Sequence, residues 1–231
     1  MLKVELHCHT DQDPLDAVPH STRELIDHAA RLGYHALSVT LHDAFFDPRH
    51  DMVYARERGI TLIPGIERSI KGKHVLLINF PASSEKVRSF DDIAALKQAH
   101  PEGIVIAPHS WYPIPTALGE RLIDRHAALF DAVEVNALYT PMVDFNAAAI
   151  RWAKAHGKPL VGNSDLHILE QLGRTYTLVD AEPSPDAICR AIREGRVEVR
   201  SEPISLARAT WQFSRMSLIG AIGRARRLRR S

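Results

Sequence analysis

The sequence contains little cysteine, and this shortage excludes some ways of building a protein of its size. Only Cys8 and Cys189 occur among 231 residues, so neither a disulfide framework nor a thiolate cluster is expected. The sequence also lacks an uninterrupted apolar run of transmembrane length, and its N-terminus lacks the charged and apolar regions of a secretory signal. We therefore expect a cytoplasmic protein with no transmembrane segment.

Acidic residues are missing from the C-terminal part of the chain. After Glu202 there is no Asp, Glu or Lys, but there are seven arginines: Arg208, Arg215, Arg224, Arg226, Arg227, Arg229 and Arg230. Removing these seven from the 29 Lys and Arg residues leaves 22 bases against 28 acids, a net charge of −6 over residues 1–202. We predict one domain over residues 1–202 and a basic tail over residues 203–231. The tail is expected to be a helical extension whose apolar side packs on the domain, and contact with an anionic partner, RNA or a membrane surface, is the alternative.

Short apolar runs alternate with amphipathic segments along the whole body of the chain. The clearest helix covers 22–32, where Ser21 and Glu24 form a capping box, and a second covers 143–156. This alternation predicts an α/β fold of parallel strands joined by helices, and the number of units favours a barrel over an open doubly wound sheet. The predicted strands are 4–7, 36–40, 61–66, 74–78, 104–107, 132–136, 160–163 and 175–179.

Histidines and carboxylates occur at the ends of almost all of these strands. His7 and His9 follow the first strand with a spacing of two, which directs both side chains to the same face, and Asp165 and His167 repeat this spacing. The intervening Cys8 is expected to face away. Functional groups of parallel α/β barrels collect at the carboxyl ends of their strands. The other candidates at strand ends are His42, Glu67, His74 and His109.

The chemistry of these side chains indicates a metal site. Imidazoles and carboxylates without thiolates suit Zn, Mn or Fe, and their number exceeds what one ion requires. We therefore predict two or three divalent ions, with Glu67 as a bridging carboxylate. Such a site suits phosphoester hydrolysis by a hydroxide that the ions activate.

Six short motifs, taken in order, resemble those of the PHP (polymerase and histidinol phosphatase) superfamily of metal-dependent phosphoesterases. They are "HCHT", "SVTLHD", "PGIE", "HVLLI", "APHS" and "SDLH", and the resemblance spans about residues 4–180. It implies a distorted seven-stranded (β/α) barrel, similar to a TIM barrel, with up to three metal ions.

The resemblance also implies which residues bind each ion. One ion would be held by His7, His9, Glu67 and Asp165, and a second by Glu67, His74 and His109. The third would be held by His42, His167 and an acid in "DQDPLD", where Asp16 is favoured over Asp13. The family commonly has Asp where this chain has Leu41, a difference that suggests altered support of the neighbouring ligands.

The predicted activity is hydrolysis of a small phosphomonoester, a nucleotide or an oligonucleotide end. Catalysis is expected to depend on Glu67, Asp165 and His109, with Arg174 or Arg68 binding the phosphate. Trp111 and Tyr112 are candidates for stacking on a substrate ring. An amidohydrolase, or a catalytically decayed scaffold that binds a partner, are the alternatives.

Overall fold

The fold contains ten strands and seven α-helices among the residues that the structure describes. The computed structural model describes the backbone of residues 1–228 and the side chains of residues 1–221. The strands are β1 (Leu2–Cys8), β2 (Ala36–Val39), β3 (Thr61–Ile63), β4 (Gly65–Ile70), β5 (Lys73–Ile78), β6 (Ile104–Ala107), β7 (Ala132–Asn136), β8 (Leu160–Asn163), β9 (Thr175–Val179) and β10 (Val197–Ser201). The helices are α1 (Thr22–Arg31), α2 (Met52–Arg56), α3 (Phe90–Ala99), α4 (Glu120–Arg125), α5 (Asn146–Ala155), α6 (Pro185–Arg193) and α7 (Leu206–Leu228).

The strands form two five-stranded sheets. The first has the order β10-β9-β1-β2-β3 and the second β4-β5-β6-β7-β8. Strands β1, β2 and β3 are parallel, as are β6, β7 and β8, whereas β5 and β9 run antiparallel to both of their neighbours. The α/β class is confirmed, and the expectation that all strands are parallel is wrong.

The predicted seven-stranded, TIM-like barrel does not match the observed sheets, and no closed barrel is found among the described residues. The sheets meet through isolated bridges, Cys8 with Leu166 on one side and His42 with Glu67 on the other. The single strand predicted for 61–66 is divided at Pro64, which has no N–H to donate to a ladder. The sheet boundary therefore falls at this proline, between β3 and β4.

Gly65 allows β4 to pass close to β2. A Cβ atom at this position would lie 2.3 Å from Ser38 Oγ and 2.9 Å from the Val39 carbonyl oxygen, which are contacts that a side chain cannot make. The close approach brings Glu67, two residues further along β4, next to the end of β2. The glycine of the "PGIE" motif thus positions its glutamate.

The predicted tail begins as helix α7, whose first turns contact the rest of the chain. Arg208 donates a hydrogen bond to the Glu170 carbonyl oxygen, Arg215 pairs with the Glu170 carboxylate, and Gln212 is buried. The side chains of Arg224, Arg226 and Arg227, and all of Arg229 and Arg230, lie outside the described residues. No helix within the described part of the chain has the length and apolar character needed to cross a membrane.

Candidate metal centre

The carboxyl end of β1 lies beside the segment that follows β8. The His9 N–H donates to the Leu166 carbonyl oxygen at 2.9 Å, and the Leu166 N–H donates to the His7 carbonyl oxygen at 3.2 Å. Cys8 and Leu166 are fully buried in one apolar cluster. Because side chains alternate along the extended backbone of β1, burying Cys8 turns the flanking His7 and His9 to the opposite side, next to Asp165 and His167.

The four side chains predicted to bind the first ion lie together. His7 Nε2 is 3.3 Å from both Glu67 Oε2 and Asp165 Oδ1. His9 Nε2 is 3.4 Å and 3.5 Å from the same two oxygens. An ion bound tetrahedrally at about 2.0–2.1 Å holds its ligand atoms about 3.3–3.4 Å apart, so these spacings fit a shared ion.

Glu67 lies between two sets of imidazoles. Its Oε2 atom faces His7 and His9, and it is also 3.2 Å from His42 Nε2. Its Oε1 atom is 2.7 Å from His74 Nδ1 and 3.2 Å from His109 Nε2. A carboxylate whose two oxygens face separate donor sets has the arrangement required of a bridge between two ions.

His74 reaches the site because β5 runs antiparallel to its neighbours. The start of an antiparallel strand lies at the same edge of a sheet as the ends of parallel strands, so His74 at the start of β5 approaches Glu67 in β4.

Two other predicted ligands have left-handed backbone conformations, with φ of +29° at His109 and +48° at Asp165. Such conformations cost about 1–3 kcal/mol each and concentrate at functional sites.

His42 and His167 lie on the outer side of this group. The three imidazoles of His9, His42 and His167 stack, with ring centroids 4.4 Å apart for His9 and His42 and 4.3 Å apart for His9 and His167. Asp16 Oδ2 is 3.1 Å from His167 Nε2, and the Asp16 side chain is 51% exposed. We call His7, His9, Glu67, His74, His109 and Asp165 the inner group, and Asp16, His42 and His167 the outer group.

Asp13, the alternative to Asp16, has a different position. Its Oδ2 atom accepts from Nδ1 of His9, from Nδ1 of His42 and from the His42 N–H, each at 2.9 Å. Its Oδ1 atom accepts from the N–H groups of Leu15 and Asp16. Asp13 therefore fixes the orientation of two imidazoles, which leaves Asp16 as the carboxylate beside His167.

Two buried glutamates that the sequence interpretation left without a role support the inner group. Glu134 Oε2 is 2.7 Å from His7 Nδ1, and its Oε1 atom accepts from the His109 N–H at 3.1 Å. Glu5 accepts from Ser164 Oγ at 2.8 Å and from the His7 N–H at 3.1 Å. Each is a charged residue directly between two apolar ones, Glu5 between Val4 and Leu6 and Glu134 between Val133 and Val135, and this was the signal in the sequence that could have identified them.

Burial and neighbouring charges shift the pKa values of the Glu5 and Glu67 carboxyls. Burial raises the pKa of Glu5 to about 8, although hydrogen bonds from Ser164 and His7 oppose the shift. Burial alone would also raise the pKa of Glu67, but His7, His109 and His74 hold it well below its ordinary value. Glu67 is therefore an anion, as a metal ligand has to be.

The inner group contains buried polar atoms without a hydrogen-bond partner. They include His7 Nε2, His9 Nε2 and Glu67 Oε2, all of which face the same point. Glu134 and Asp13 hold the Nδ1 atoms of His7 and His9, so the Nε2 atoms of the two imidazoles are the ones that face the carboxylates. Buried polar atoms normally have partners, and a cation between these atoms would satisfy all three. The residues present thus fit divalent metal ions.

Leu41, Arg68 and Arg174 contact other parts of the chain. The Leu41 side chain is buried in the apolar cluster that contains Cys8, so it contributes to packing. The Arg68 guanidinium pairs with Asp43 and donates to the Val87 carbonyl oxygen at 2.7 Å. Arg174 is partly exposed, and its guanidinium lies 3.7 Å from a Glu202 carboxylate oxygen. Of the two basic residues, Arg174 has the weaker internal pairing.

The two aromatic candidates have different surroundings. The Trp111 ring lies 6.0 Å from the Trp152 ring, at the edge of the second sheet's apolar core. The Tyr112 ring lies 5.2 Å from the Phe145 ring, in the wall of a cavity that His109 and Asp165 also line. Only Tyr112 is placed to contact a molecule bound at the inner group.

Together, these features define an α/β protein with a histidine-rich candidate centre for several metal ions. A family model described as PHP-associated matches residues 144–197. The PolC-type DNA polymerase III of Streptococcus pyogenes is 40% identical over 68 residues, which are 29% of this chain and 5% of the polymerase. The chain thus spans about a twentieth of the length of that curated relative.

Solved structures share the fold. A two-domain protein from Bacteroides vulgatus containing a predicted PHP-like metal-dependent phosphoesterase matches with a TM-score of 0.63 and 22% identity, over 87% of this chain and 65% of that protein. The lesion-specific endonuclease Q of Pyrococcus furiosus matches with a TM-score of 0.58 and 18% identity, over 86% of this chain and 57% of the endonuclease. The six motifs and the PHP-associated match make the chain similar to the PHP superfamily, and these solved structures show the same fold.

Proposed function

We propose that the protein is a hydrolase that cleaves a phosphoester with the help of divalent metal ions. The observation that carries this proposal is the position of Glu67, whose two carboxylate oxygens face five imidazoles. Several ions at one carboxylate suit phosphoester chemistry, since they can stabilise both the attacking and the leaving oxygen. The PHP-like phosphoesterase and the endonuclease with the same fold support this choice.

The inner group would bind two ions and the outer group one. His7, His9, Glu67 and Asp165 would hold the first, and Glu67, His74 and His109 the second. Asp16, His42 and His167 would hold the third. When bound, the ions would supply Lewis acidity that lowers the pKa of water, and positive charge that stabilises the phosphoryl oxygens; Mn, Zn and Fe suit this donor set.

The protein's own residues would orient the ligands and receive the substrate. Glu134 and Asp13 hold three imidazoles in fixed orientations, which limits reorganisation during the reaction. The Asp165 side chain is 27% exposed, so a substrate can approach this face of the inner group. We assign Glu67, Asp165 and His109 to catalysis and Arg174, ahead of Arg68, to phosphate binding. Residues 1–202 would form the catalytic domain, with 203–231 as its extension.

The substitution Glu67→Gln tests this function. It removes the charge shared by two donor sets, so we expect the metal content to fall and phosphatase turnover with added Mn to decrease by about 1,000-fold or more. Glu57→Gln, at an exposed residue directly after α2, is the matched control and should retain full activity. Turnover of p-nitrophenyl phosphate and bis(p-nitrophenyl) phosphate would measure monoesterase and diesterase activity. Unchanged turnover in Glu67→Gln would refute the bridging role.

A nucleic-acid end is the second candidate substrate. A structure of endonuclease Q with a 27-mer duplex carrying an abasic lesion at its active site has the same fold as this chain, with a TM-score of 0.56. Turnover of abasic or 3′-phosphorylated duplexes, compared with that of small phosphomonoesters, would separate the two candidates. Metal-dependent cleavage of amide substrates alone would instead favour the amidohydrolase alternative, and the absence of both metal and turnover would favour a decayed scaffold.

A further inference from the structure

A cavity of about 370 Å³ opens directly onto the inner group. His109 and Asp165 form one end of it, and its walls come from the segment after β7 and from the first turns of α7. An apolar cavity of roughly 150 Å³ is enough to hold benzene, so this one can take a larger group. Its position means that a molecule with a phosphate at the metal ions would extend its other end into the cavity.

The walls of the cavity are apolar. They include Leu138, Val143, Phe145, Leu206 and Phe213. Val143 is 50% exposed and Phe213 is 52% exposed, although side chains of this kind are usually buried. A cluster of exposed apolar side chains beside a site normally marks a surface that binds something.

Outside the inner group, the polar side chains lining the cavity have partners within the protein. Tyr112 Oη donates to the Leu138 carbonyl oxygen at 3.1 Å, and Thr210 Oγ1 donates to the Leu206 carbonyl oxygen at 3.0 Å. Thr140 Oγ1 accepts from the Val143 N–H at 3.1 Å.

The remaining polar groups in the wall are similarly engaged. Asn136 donates to Glu134 and accepts from the Leu138 N–H, each at 2.9 Å. The Tyr139 hydroxyl accepts from Ser201 Oγ at 3.0 Å. Hydroxyls of a bound substrate would lose their hydrogen bonds to water here, and they could replace them only by competing with these internal hydrogen bonds. Apolar groups of a substrate make no such hydrogen bonds and lose none.

From these observations, and resting on the proposed function, we propose that the substrate is a phosphoester of an apolar alcohol, whose hydrocarbon part occupies this cavity. The phosphate would lie at the inner group, and the hydrocarbon would pack between Val143, Phe145 and Phe213. Helix α7 is then part of the substrate site, because it supplies Leu206 and Phe213 to the walls. The proposal disfavours hydroxyl-rich phosphates such as glycerol phosphate.

The test measures how fast the full-length protein, with Mn added, hydrolyses phosphate monoesters whose alcohols are similar as leaving groups. We expect kcat/KM for n-hexyl phosphate to exceed that for ethyl phosphate and for glycerol 1-phosphate by about tenfold or more. Val143→Asp places a charge in the wall and should remove most of this preference through KM. Phe213→Ala should reduce the preference by several-fold. The controls are Met142→Asp, at a neighbouring residue that is 87% exposed outside the cavity, and Leu218→Ala on α7.

Binding of non-hydrolysable phosphonates gives a readout that does not depend on turnover. We expect hexylphosphonate to bind at least about tenfold more tightly than methylphosphonate by calorimetry, and Val143→Asp to bring the two affinities together. Turnover without a chain-length preference would overturn this inference and leave the proposed function intact. Absence of turnover with these monoesters, with the p-nitrophenyl esters and with the duplexes would contradict the proposed function. The phosphonate pair would then decide the inference by itself, and equal affinities would overturn it.

Discussion

The inner and outer groups of the candidate centre differ in how their side chains are held. In the inner group, His7 is fixed by the buried Glu134, and Glu67 lies on a strand whose close approach depends on Gly65. In the outer group, His42 is fixed by Asp13, but the acid beside His167 is the half-exposed Asp16, on a loop. We infer that the inner ligands are preorganised by strands and buried carboxylates, and that the outer group is completed by a loop residue.

The substitution Glu134→Gln should have the largest effect among changes that spare the ligands themselves. It removes the negative charge at His7 Nδ1 and weakens the hold on the His109 N–H. Changes to such supporting residues commonly cost 10–100-fold in metal affinity or activity, and we expect about 100-fold in kcat/KM. Metal titration and steady-state kinetics would measure both, with the exposed Glu57→Gln as control. A loss below threefold would show that Glu134 does not preorganise the inner group.

Asp13→Asn should have the next largest effect. Asp13 orients His9 of the inner group and His42 of the outer group, so we expect about a 30-fold loss of kcat/KM and weaker binding of more than one ion. The exposed neighbour Asp11 provides the control Asp11→Asn. Loss of a single ion in Asp13→Asn, with the activity of the remaining site intact, would contradict a shared role.

Asp16→Asn should have a smaller effect that is confined to the outer group. It removes the carboxylate beside His167, so we expect one ion fewer per chain and a loss of activity of about tenfold or less. Elemental analysis after dialysis, together with kinetics, would check both. If this variant kept all its ions while Asp13→Asn lost one, Asp13 and not Asp16 would be the outer ligand.

Leu41→Ala should affect stability more than activity. Leu41 is buried in an apolar cluster, and truncating a buried leucine costs about 2–5 kcal/mol, so we expect the free energy of unfolding to fall by about 3 kcal/mol. Below the melting transition, kcat should change less than about threefold. Denaturant unfolding would measure the stability, with Leu218→Ala on the exposed face of α7 as control. A large loss of kcat in a folded Leu41→Ala variant would show that this position supports the outer group directly.

Local patterns in the sequence predicted much of the fold, and the failures have physical causes. The strands at 104–107, 132–136, 160–163 and 175–179 have their predicted bounds, and the Ser21–Glu24 capping box is present at α1. The apolar pattern of a strand does not reveal its direction, which is why the antiparallel β5 and β9 were not foreseen. The alternation Val197-Glu198-Val199-Arg200 is a usable signal for β10, a strand that the predicted set does not include.

The candidate ligands were easier to find in the sequence than the residues that contact them. His7 and His9 are two residues apart, as are Asp165 and His167, and this spacing at predicted strand ends is visible in the sequence itself. Glu134 and Glu5 make contacts across 127 and 159 residues, and although their place between apolar residues is visible in the sequence, their distant partners are not. Likewise, the sequence favoured Asp16 over Asp13 without showing their contacts, and only the folded loop directs Asp13 to the His9 and His42 imidazoles and Asp16 to His167.

The number of metal ions per chain tests the central claim most directly. Elemental analysis of the purified protein after saturation with Mn and removal of excess metal should give two or three ions per chain for the wild type. Glu67→Gln should retain at most one, because Glu67 serves both halves of the inner group. A wild-type protein that binds no ion or a single ion, or a Glu67→Gln variant with the full complement, would contradict the account.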